Sequence, residues 1–278
     1  MARKKLIIFD YSGTLSLAAS QFAAPDSLMR HLEETGLAGL GVNTPHIFWE
    51  KIVNPTWQEG STTSAGYKTI LKERITSFLY QEMSIISCVG ISDAASSFVD
   101  RYLDHSRMDN RWAALLRTLA GRPETVVIIA TDHYAEATGA ILRYLHEWGI
   151  EAVAANEAFR NPRRASFIVA NSADLGFHKE DLRFWRILKS GLRLGEVRRI
   201  LLFDDFGAHE QREDSYGKRH RVEGRKDKTV KMLETEFRAD VLAFPFMIED
   251  GALSKEDAYG NLIADASPTM ERFLASCG

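Results

Sequence analysis

The sequence predicts an α/β protein with a doubly wound parallel sheet and a long helical insertion. From Trp112 onwards, short apolar runs alternate with segments of helical periodicity, as expected when parallel strands are joined by crossover helices. A second observation is that about ninety residues of helical pattern, with almost no strand pattern, separate the first apolar run from the next. We therefore expect the helical segment to be inserted directly after the first strand.

The first predicted strand ends in a carboxylate. The apolar run Leu6–Phe9 leads directly into Asp10, and Gly13 follows within a short turn. A buried parallel strand delivers such a residue to the carboxyl edge of its sheet, where α/β proteins bind ligands. Gly13 permits a backbone turn that a side chain would obstruct. Asp10 is therefore the first candidate for a functional residue.

The inserted segment, from about Ser16 to Asp109, shows apolar residues at helical spacing. One face is formed by residues at i, i+3, i+4 and i+8 spacing: Tyr67, Ile70, Leu71, Ile75, Phe78 and Leu79. The polar stretch Gly60–Ser64 is interpreted as a helix N-cap cluster, with a lid contact as the alternative.

The remaining strands are predicted from β-branched and apolar runs bounded by helices. They cover Thr125–Ala130, Glu151–Ala154, Phe167–Ala170, Ile200–Phe203 and Val241–Phe244. Helices are predicted around Leu115, Ile141, Trp185 and Leu233. This alternation predicts right-handed crossovers in a parallel sheet.

Composition excludes several classes of protein. The chain has 278 residues, of which 45% are hydrophobic and 26% charged, as in ordinary globular proteins, and its net charge of −3 predicts no general attraction to nucleic acid or anionic membranes. The two cysteines, Cys88 and Cys277, lack CxxC spacing, which argues against a disulfide scaffold and fits a reducing compartment. No apolar run is long enough for a signal peptide or a membrane span, so we expect a cytoplasmic protein without a membrane partner. The basic run Lys218–Lys228 has no interleaved aromatic residues and is interpreted as a solvated loop and helix start rather than a nucleic-acid site.

Polar side chains follow three of the predicted strands. These are Asp10, Thr131 and the pair Asp204-Asp205, and Lys179 precedes a predicted helix. Because parallel strands share one carboxyl edge, these groups can converge in one crevice. Clustered carboxylates without histidine or cysteine partners favour a hard cation such as Mg²⁺. A lysine beside Asp10 would favour its ionised form, and Asp10 could then act as a nucleophile in phosphoryl transfer.

This order of motifs resembles the haloacid dehalogenase (HAD) superfamily. The resemblance rests on Asp-x-x-Gly-Thr-Leu from Asp10, a strand ending in Thr131, Lys179 before a helix, and a strand ending in Asp204-Asp205. A helical insertion directly after the first motif resembles the C1 cap of that superfamily. The resemblance implies a Rossmann-like core formed by residues 1–15 and 110–278, and a helical cap formed by residues 16–109.

The resemblance also implies roles for individual residues. Asp10 would be the nucleophile, and Gly13, Thr131 and Lys179 would bind phosphate, with Thr131 and Lys179 also counted as catalytic. The metal site would consist of Asp10, the main-chain carbonyl of Ser12, Asp204 and Asp205, and would hold Mg²⁺. The implied function is Mg²⁺-dependent hydrolysis of a small phosphorylated metabolite through an aspartyl-phosphate.

Ser12 departs from the pattern of the phosphatases in this superfamily, which carry a general acid–base Asp at that position. A serine hydroxyl does not take up a proton at pH 7, and general acid–base groups contribute typically about 10²–10⁴-fold to the rate. His133 and His209, which lie near the strand-end motifs, are candidates for the missing group.

Two alternative functions remain open at this stage. A phosphonatase-like C–P hydrolase or phosphotransferase is one, and a phosphonatase would use a Schiff-base lysine, for which Lys51 is a candidate beside its interpretation as a surface residue. The other is a non-catalytic phosphate-binding or interaction protein.

Overall fold

The computed structural model describes residues 5–82, 89–162, 167–211, 224–248 and 254–276. Both cysteines, and the part of the basic run before Gly224, lie outside these ranges. Among the described residues, no helix has both the length and the apolar character required to cross a bilayer.

A parallel sheet forms the centre of the described chain. Its six strands are β1 (Lys5–Phe9), β2 (Thr125–Thr131), β3 (Val153–Ala154), β4 (Phe167–Asn171), β5 (Arg199–Asp204) and β6 (Asp240–Pro245). Their spatial order is β3-β4-β2-β1-β5-β6, and every neighbouring pair is parallel. The predicted α/β class and parallel sheet are thus confirmed, although β3 is only two residues long and shorter than expected.

Helices surround the sheet and fill the insertion. They are α1 (Leu17–Phe22), α2 (Pro25–Glu34), a π-helix (Ile47–Val53), α3 (Trp57–Gly60), α4 (Tyr67–Glu82), α5 (Ile91–His105), a 3₁₀ turn (Asn110–Trp112), α6 (Ala113–Ala120), α7 (Glu136–Glu147), α8 (Ala155–Ala158), α9 (Ser172–Leu175), α10 (Leu182–Gly191), α11 (Arg225–Phe237) and α12 (Lys255–Ala275). The long helix α12 was not predicted, because Pro268 in its interior is typical of a helix boundary.

Both faces of the sheet are covered, as a doubly wound fold requires. Leu6 and Ile8 of β1 pack in one apolar cluster with side chains of α10 and α11. Ile7 and Phe9 face the opposite cluster, which includes side chains of α6, α7 and α12. This alternation follows from the two-residue period of a strand. It makes β1, at the centre of the sheet, a rigid support for the residue that follows it.

The segment between β1 and β2 is helical and builds a third apolar cluster from α1, α2, the π-helix, α4 and α5. Its two ends lie together, because the Asp109 N–H donates to the Leu15 carbonyl at 2.9 Å. Helix α1 and Met108 also contribute side chains to the sheet cluster. The interpretation of residues 16–109 as a separate cap domain stays a prediction.

The prediction that the polar stretch Gly60–Ser64 forms a helix N-cap cluster was wrong. The first amides of α4 donate instead to the carboxylate of Glu136 on α7, from Tyr67 at 2.6 Å and from Lys68 at 3.1 Å. The loop contacts the segment before α10, since Ser61 Oγ lies 2.6 Å from His178 Nε2. A distant carboxylate therefore supplies the cap that the local serines and threonines were expected to supply.

Candidate functional site

Three neighbouring strands bring the predicted residues to one edge of the sheet. Strands β2, β1 and β5 are adjacent and carry Thr131, Asp10 and Asp204 at or just beyond their carboxyl ends. Asp10 continues the pairing of β1, since its N–H donates to the Phe203 carbonyl at 2.8 Å. Asp205 follows directly, and all four side chains are buried. The convergence follows from the strand order.

Lys179 reaches the same point from the segment before α10. Its Nζ donates to Asp10 Oδ1 at 2.5 Å and to Asp204 Oδ2 at 3.2 Å. Its backbone is fixed on both sides, because its N–H donates to Asp132 Oδ1 at 2.8 Å and its carbonyl accepts from Trp185 Nε1 at 2.8 Å. The ammonium is therefore held between two carboxylates by main-chain contacts as well as by charge.

The surroundings of this cluster disfavour the ionised form of its carboxylates. Burial raises the pKa of Asp10 well above its usual value, and the charges of Asp204 and Asp205 add to that rise, whereas Lys179 opposes it. Burial likewise raises the pKa of Asp204, again against the effect of Lys179. One lysine shared among several carboxylates does not offset their desolvation and mutual repulsion.

The arrangement fits a cation with oxygen ligands. Asp10, Asp204 and Asp205 can each offer one carboxylate oxygen such that the three oxygens lie within 4.8 Å of one another. Backbone amides orient the pair after β5: Phe206 N–H donates to Asp204 Oδ1 at 2.6 Å, and Gly207 N–H to Asp205 Oδ1 at 2.9 Å. An all-oxygen donor set with excess negative charge is typical of sites for hard divalent cations. The cluster could therefore bind a metal ion.

Gly13 lies against this acidic pair. Its backbone has φ +76°, and a Cβ at this position would come within 2.3 Å of Asp205 Oδ2. Thr14, the next residue, accepts a hydrogen bond from the Asp205 N–H at its Oγ1, at 3.0 Å. Glycine is thus required both by the backbone conformation and by the close approach of a carboxylate.

Ser12 has a partner that the sequence did not reveal. Its Oγ donates to Glu210 Oε1 at 2.7 Å, and both residues line the same cavity as Asp10. Glu210 lies six residues after Asp204, in an irregular segment without periodicity. Local sequence carries no signal for this contact, which joins residues 198 positions apart. The structure therefore places a carboxylate next to the serine that replaces the expected acid–base residue.

The two candidate histidines are engaged elsewhere. His133 is buried and lines the cavity, and burial lowers its pKa to about 4. Its Nδ1 accepts from the Tyr134 N–H at 3.1 Å, and its Nε2 lies 2.5 Å from the Tyr102 hydroxyl. His209 Nε2 accepts from the Ile248 N–H, and its Nδ1 lies 3.2 Å from Asp205 Oδ2. None of these contacts involves Ser12, whereas Glu210 contacts it directly, so Glu210 is a further candidate for the acid–base group.

A cavity of about 90 Å³ opens from Asp10 and Ser12 toward the helical segment. Thr131 and Asp132 line it at the sheet edge, and aromatic side chains form most of the rest. Lys51 is not among its described lining residues; its carbonyl accepts from Arg74 Nε at 2.6 Å. The Schiff-base alternative therefore gains no support from the position of Lys51.

Neither the models of known protein families nor the curated proteins include one that matches this chain.

Proposed function

We propose that the protein is a Mg²⁺-dependent, HAD-like phosphoryl hydrolase that acts on a small phosphorylated metabolite with Asp10 as the nucleophile. The observation that carries the proposal is the buried contact of Lys179 with both Asp10 and Asp204 beside a cavity lined by Asp10. A carboxylate at a strand end, held by a lysine and next to further acids, is suited to attack an anionic phosphoryl group.

In the first half of the proposed reaction, Asp10 attacks phosphorus, a bond forms between its carboxylate oxygen and phosphorus, and the bond to the leaving oxygen breaks. Lys179 neutralises charge on Asp10 and on the phosphoryl oxygens, and the Thr131 hydroxyl donates to one of those oxygens. When held by Asp10, Asp204, Asp205 and the Ser12 carbonyl, Mg²⁺ supplies positive charge that offsets the repulsion between the nucleophile and its anionic substrate.

The Ser12–Glu210 pair supplies the proton transfers in this scheme. Protonated Glu210 gives its proton to Ser12 Oγ while the Ser12 hydroxyl donates its own to the leaving oxygen. In the second half, water attacks phosphorus, the bond to Asp10 breaks, and the proton of water returns through Ser12 to Glu210. Glu210 ends in the state in which it began, and phosphate is released. A serine that relays protons to a carboxylate thus replaces a direct acid–base group.

The decisive experiment combines phosphate release with acid trapping. Wild-type protein with Mg²⁺ should release phosphate from members of a panel of phosphorylated metabolites and retain a mass increment of one phosphoryl group after acid quench. Asp10→Asn should lose both signals, with turnover lower by at least about 10⁴-fold. Asp240→Asn, an exposed aspartate at the opposite edge of the sheet, is the matched control and should behave as wild type. Absence of both signals from every form would favour the binding-protein alternative.

A further inference from the structure

The organic part of a substrate would contact a wall that is almost entirely apolar. Away from the sheet edge, the described side chains around the cavity are aliphatic or aromatic, apart from one buried histidine. They are Ala19, Phe22, Ala23, Leu28, Phe48, Trp49, Val53, Trp57, Tyr67, Phe98, Tyr102 and Tyr134. Most of them belong to the apolar cluster of the helical segment and are buried within it. Such a wall favours a ligand that buries apolar surface.

The described wall of the cavity offers no lysine or arginine to a substrate. Asp10, Asp132 and Glu210 line it at the sheet edge, whereas none of the described lining residues is a lysine or an arginine. His133 does not add a positive charge at neutral pH, because burial lowers its pKa to about 4. A second phosphate or a carboxylate on the substrate would therefore find no cation in the described wall.

Away from the sheet edge, most of the polar groups that the described wall offers to a sugar belong to aromatic side chains. Amide side chains are absent from the described lining, and its aliphatic hydroxyls, Ser12 and Thr131, lie at the sheet edge. The Tyr102 hydroxyl is already in contact with His133 Nε2 at 2.5 Å. Away from the sheet edge, a ligand hydroxyl would depend on the other tyrosine hydroxyls and the indole N–H groups of the wall, and each hydroxyl that reached none of them would lose its hydrogen bonds to water at a cost in free energy.

The volume limits how much of a ligand the cavity can take up. The cavity measures about 90 Å³, whereas an apolar cavity of about 150 Å³ is known to hold benzene. A phosphoryl group and a short carbon chain are therefore closer to its capacity than a phosphoryl group and a ring. We infer, on the basis of the proposed function, that the substrate is a phosphomonoester whose organic part is compact, uncharged and apolar. Hydrolysis would yield the corresponding small alcohol and inorganic phosphate.

The first test compares two esters with the same three-carbon skeleton, n-propyl phosphate and glycerol 1-phosphate. We expect kcat/KM for the propyl ester to be higher by at least about tenfold, because each added hydroxyl enters an apolar wall. Equal or faster turnover of glycerol 1-phosphate would overturn the inference and leave the proposed hydrolase intact.

A binding experiment separates the inference from the proposed function. The wild-type protein, in the presence of Mg²⁺, is titrated in a calorimeter with propylphosphonate or with phosphonoacetate. The proposed reaction does not hydrolyse either of these phosphonates. Tighter binding of propylphosphonate supports the apolar site even if no ester is hydrolysed, in which case only the proposed hydrolysis fails. Equal or tighter binding of phosphonoacetate contradicts the inference.

A pair of valine variants tests whether this wall selects by size. Val53 lines the cavity, whereas Val99 is buried in the same apolar cluster without lining it. Val53→Ala should raise the ratio of kcat/KM for phenyl phosphate to that for propyl phosphate by at least about fivefold, because the lost methyl groups enlarge the cavity. Val99→Ala should leave this ratio unchanged. An unchanged ratio in Val53→Ala, or the same change in both variants, would count against the proposed wall.

Discussion

The carboxyl edge of the sheet and the helical segment between β1 and β2 are built on opposite principles. At the edge, a few charged residues are buried, among them Asp10, which follows a strand, and Lys179, which reaches it from the segment before α10. In the helical segment, many uncharged side chains from separate helices pack into an apolar cluster. The edge contains the groups that can carry out chemistry, and the helical segment shapes the space beside them. In the proposed enzyme, reaction type and substrate choice are thus determined by different regions.

The two regions also differ in what stabilises them. Burial at the edge disfavours the ionised form of the carboxylates, as the raised pKa values of Asp10 and Asp204 indicate. The helical cluster gains from burial, and Tyr134, from the loop after β2, joins it by stacking on Tyr67 with ring centroids 3.9 Å apart. Lys179 should therefore matter more to stability than any surface lysine of the helical segment.

The largest stability effect is expected for Lys179→Met. Removing the ammonium leaves buried carboxylates without their cation, and breaking a buried pair in this way costs about 3–5 kcal/mol. Lys68→Met in the helical segment is the control, because Lys68 pairs with Asp100 on the surface and such pairs contribute about 0–1 kcal/mol. Urea denaturation of both variants measures the difference. Similar losses of stability in the two variants would contradict the expected difference between the sheet edge and the helical segment.

Glu210→Gln should lower turnover by about 10³-fold, within the range of general acid–base groups. Because Glu210 acts through Ser12 in the proposed scheme, Ser12→Ala should cause a similar loss, and the double variant should be little worse than either. The pH–rate profile of Glu210→Gln should also lack the change in rate that accompanies the titration of Glu210 in the wild type. Additive losses in the double variant would show that the two residues act independently.

The sequence predicted the edge well, because its signals are local. Asp10, Thr131 and Asp204 each end an apolar run, and parallel strands place such residues at one edge whatever their separation in the chain. Glu210 was missed because its contact with Ser12 depends on the course of an irregular loop.

The helical segment was less predictable. Periodicity identified the buried face of α4, including Tyr67 and Ile75. It did not show that Phe22, Trp49 and Tyr102, which belong to three different helices, would line one cavity beside Asp10. Helical spacing specifies which face of a helix is buried, but not which other helix covers it.

His133, where the two regions meet, should make stability pH-dependent. Its folded-state pKa of about 4 lies below the ordinary value of about 6.5, so between these pH values the unfolded chain binds a proton that the folded protein excludes. Stability is therefore lost as pH falls from 6.5 to 4, by about 3 kcal/mol from this group.

The measurement compares the free energy of unfolding of His133→Gln with that of the wild type at pH 7 and pH 4.5. Taking the difference between the two proteins removes the contribution of the carboxylates, which titrate in both. The variant should lose less stability than the wild type on acidification. Replacement of His146, which is exposed on α7, should leave the wild-type profile unchanged. An equal loss of stability on acidification in His133→Gln and the wild type would contradict the assignment of His133 as a buried, neutral side chain.

The smallest expected effect is at one of the contacts between α7 and the helical segment. Glu136, in the first turn of α7, accepts hydrogen bonds from the first two amides of α4. It therefore caps a helix of the segment between β1 and β2. Glu136→Ala should cost about 1–2 kcal/mol, the usual effect of losing a charged cap. The control is Glu147→Ala at the other end of α7, where the partner is Arg107 on the surface and the loss should stay below about 1 kcal/mol. Amide hydrogen exchange locates the change: faster exchange confined to the start of α4 would identify Glu136 as its cap, whereas faster exchange throughout α7 would show that the residue mainly stabilises its own helix.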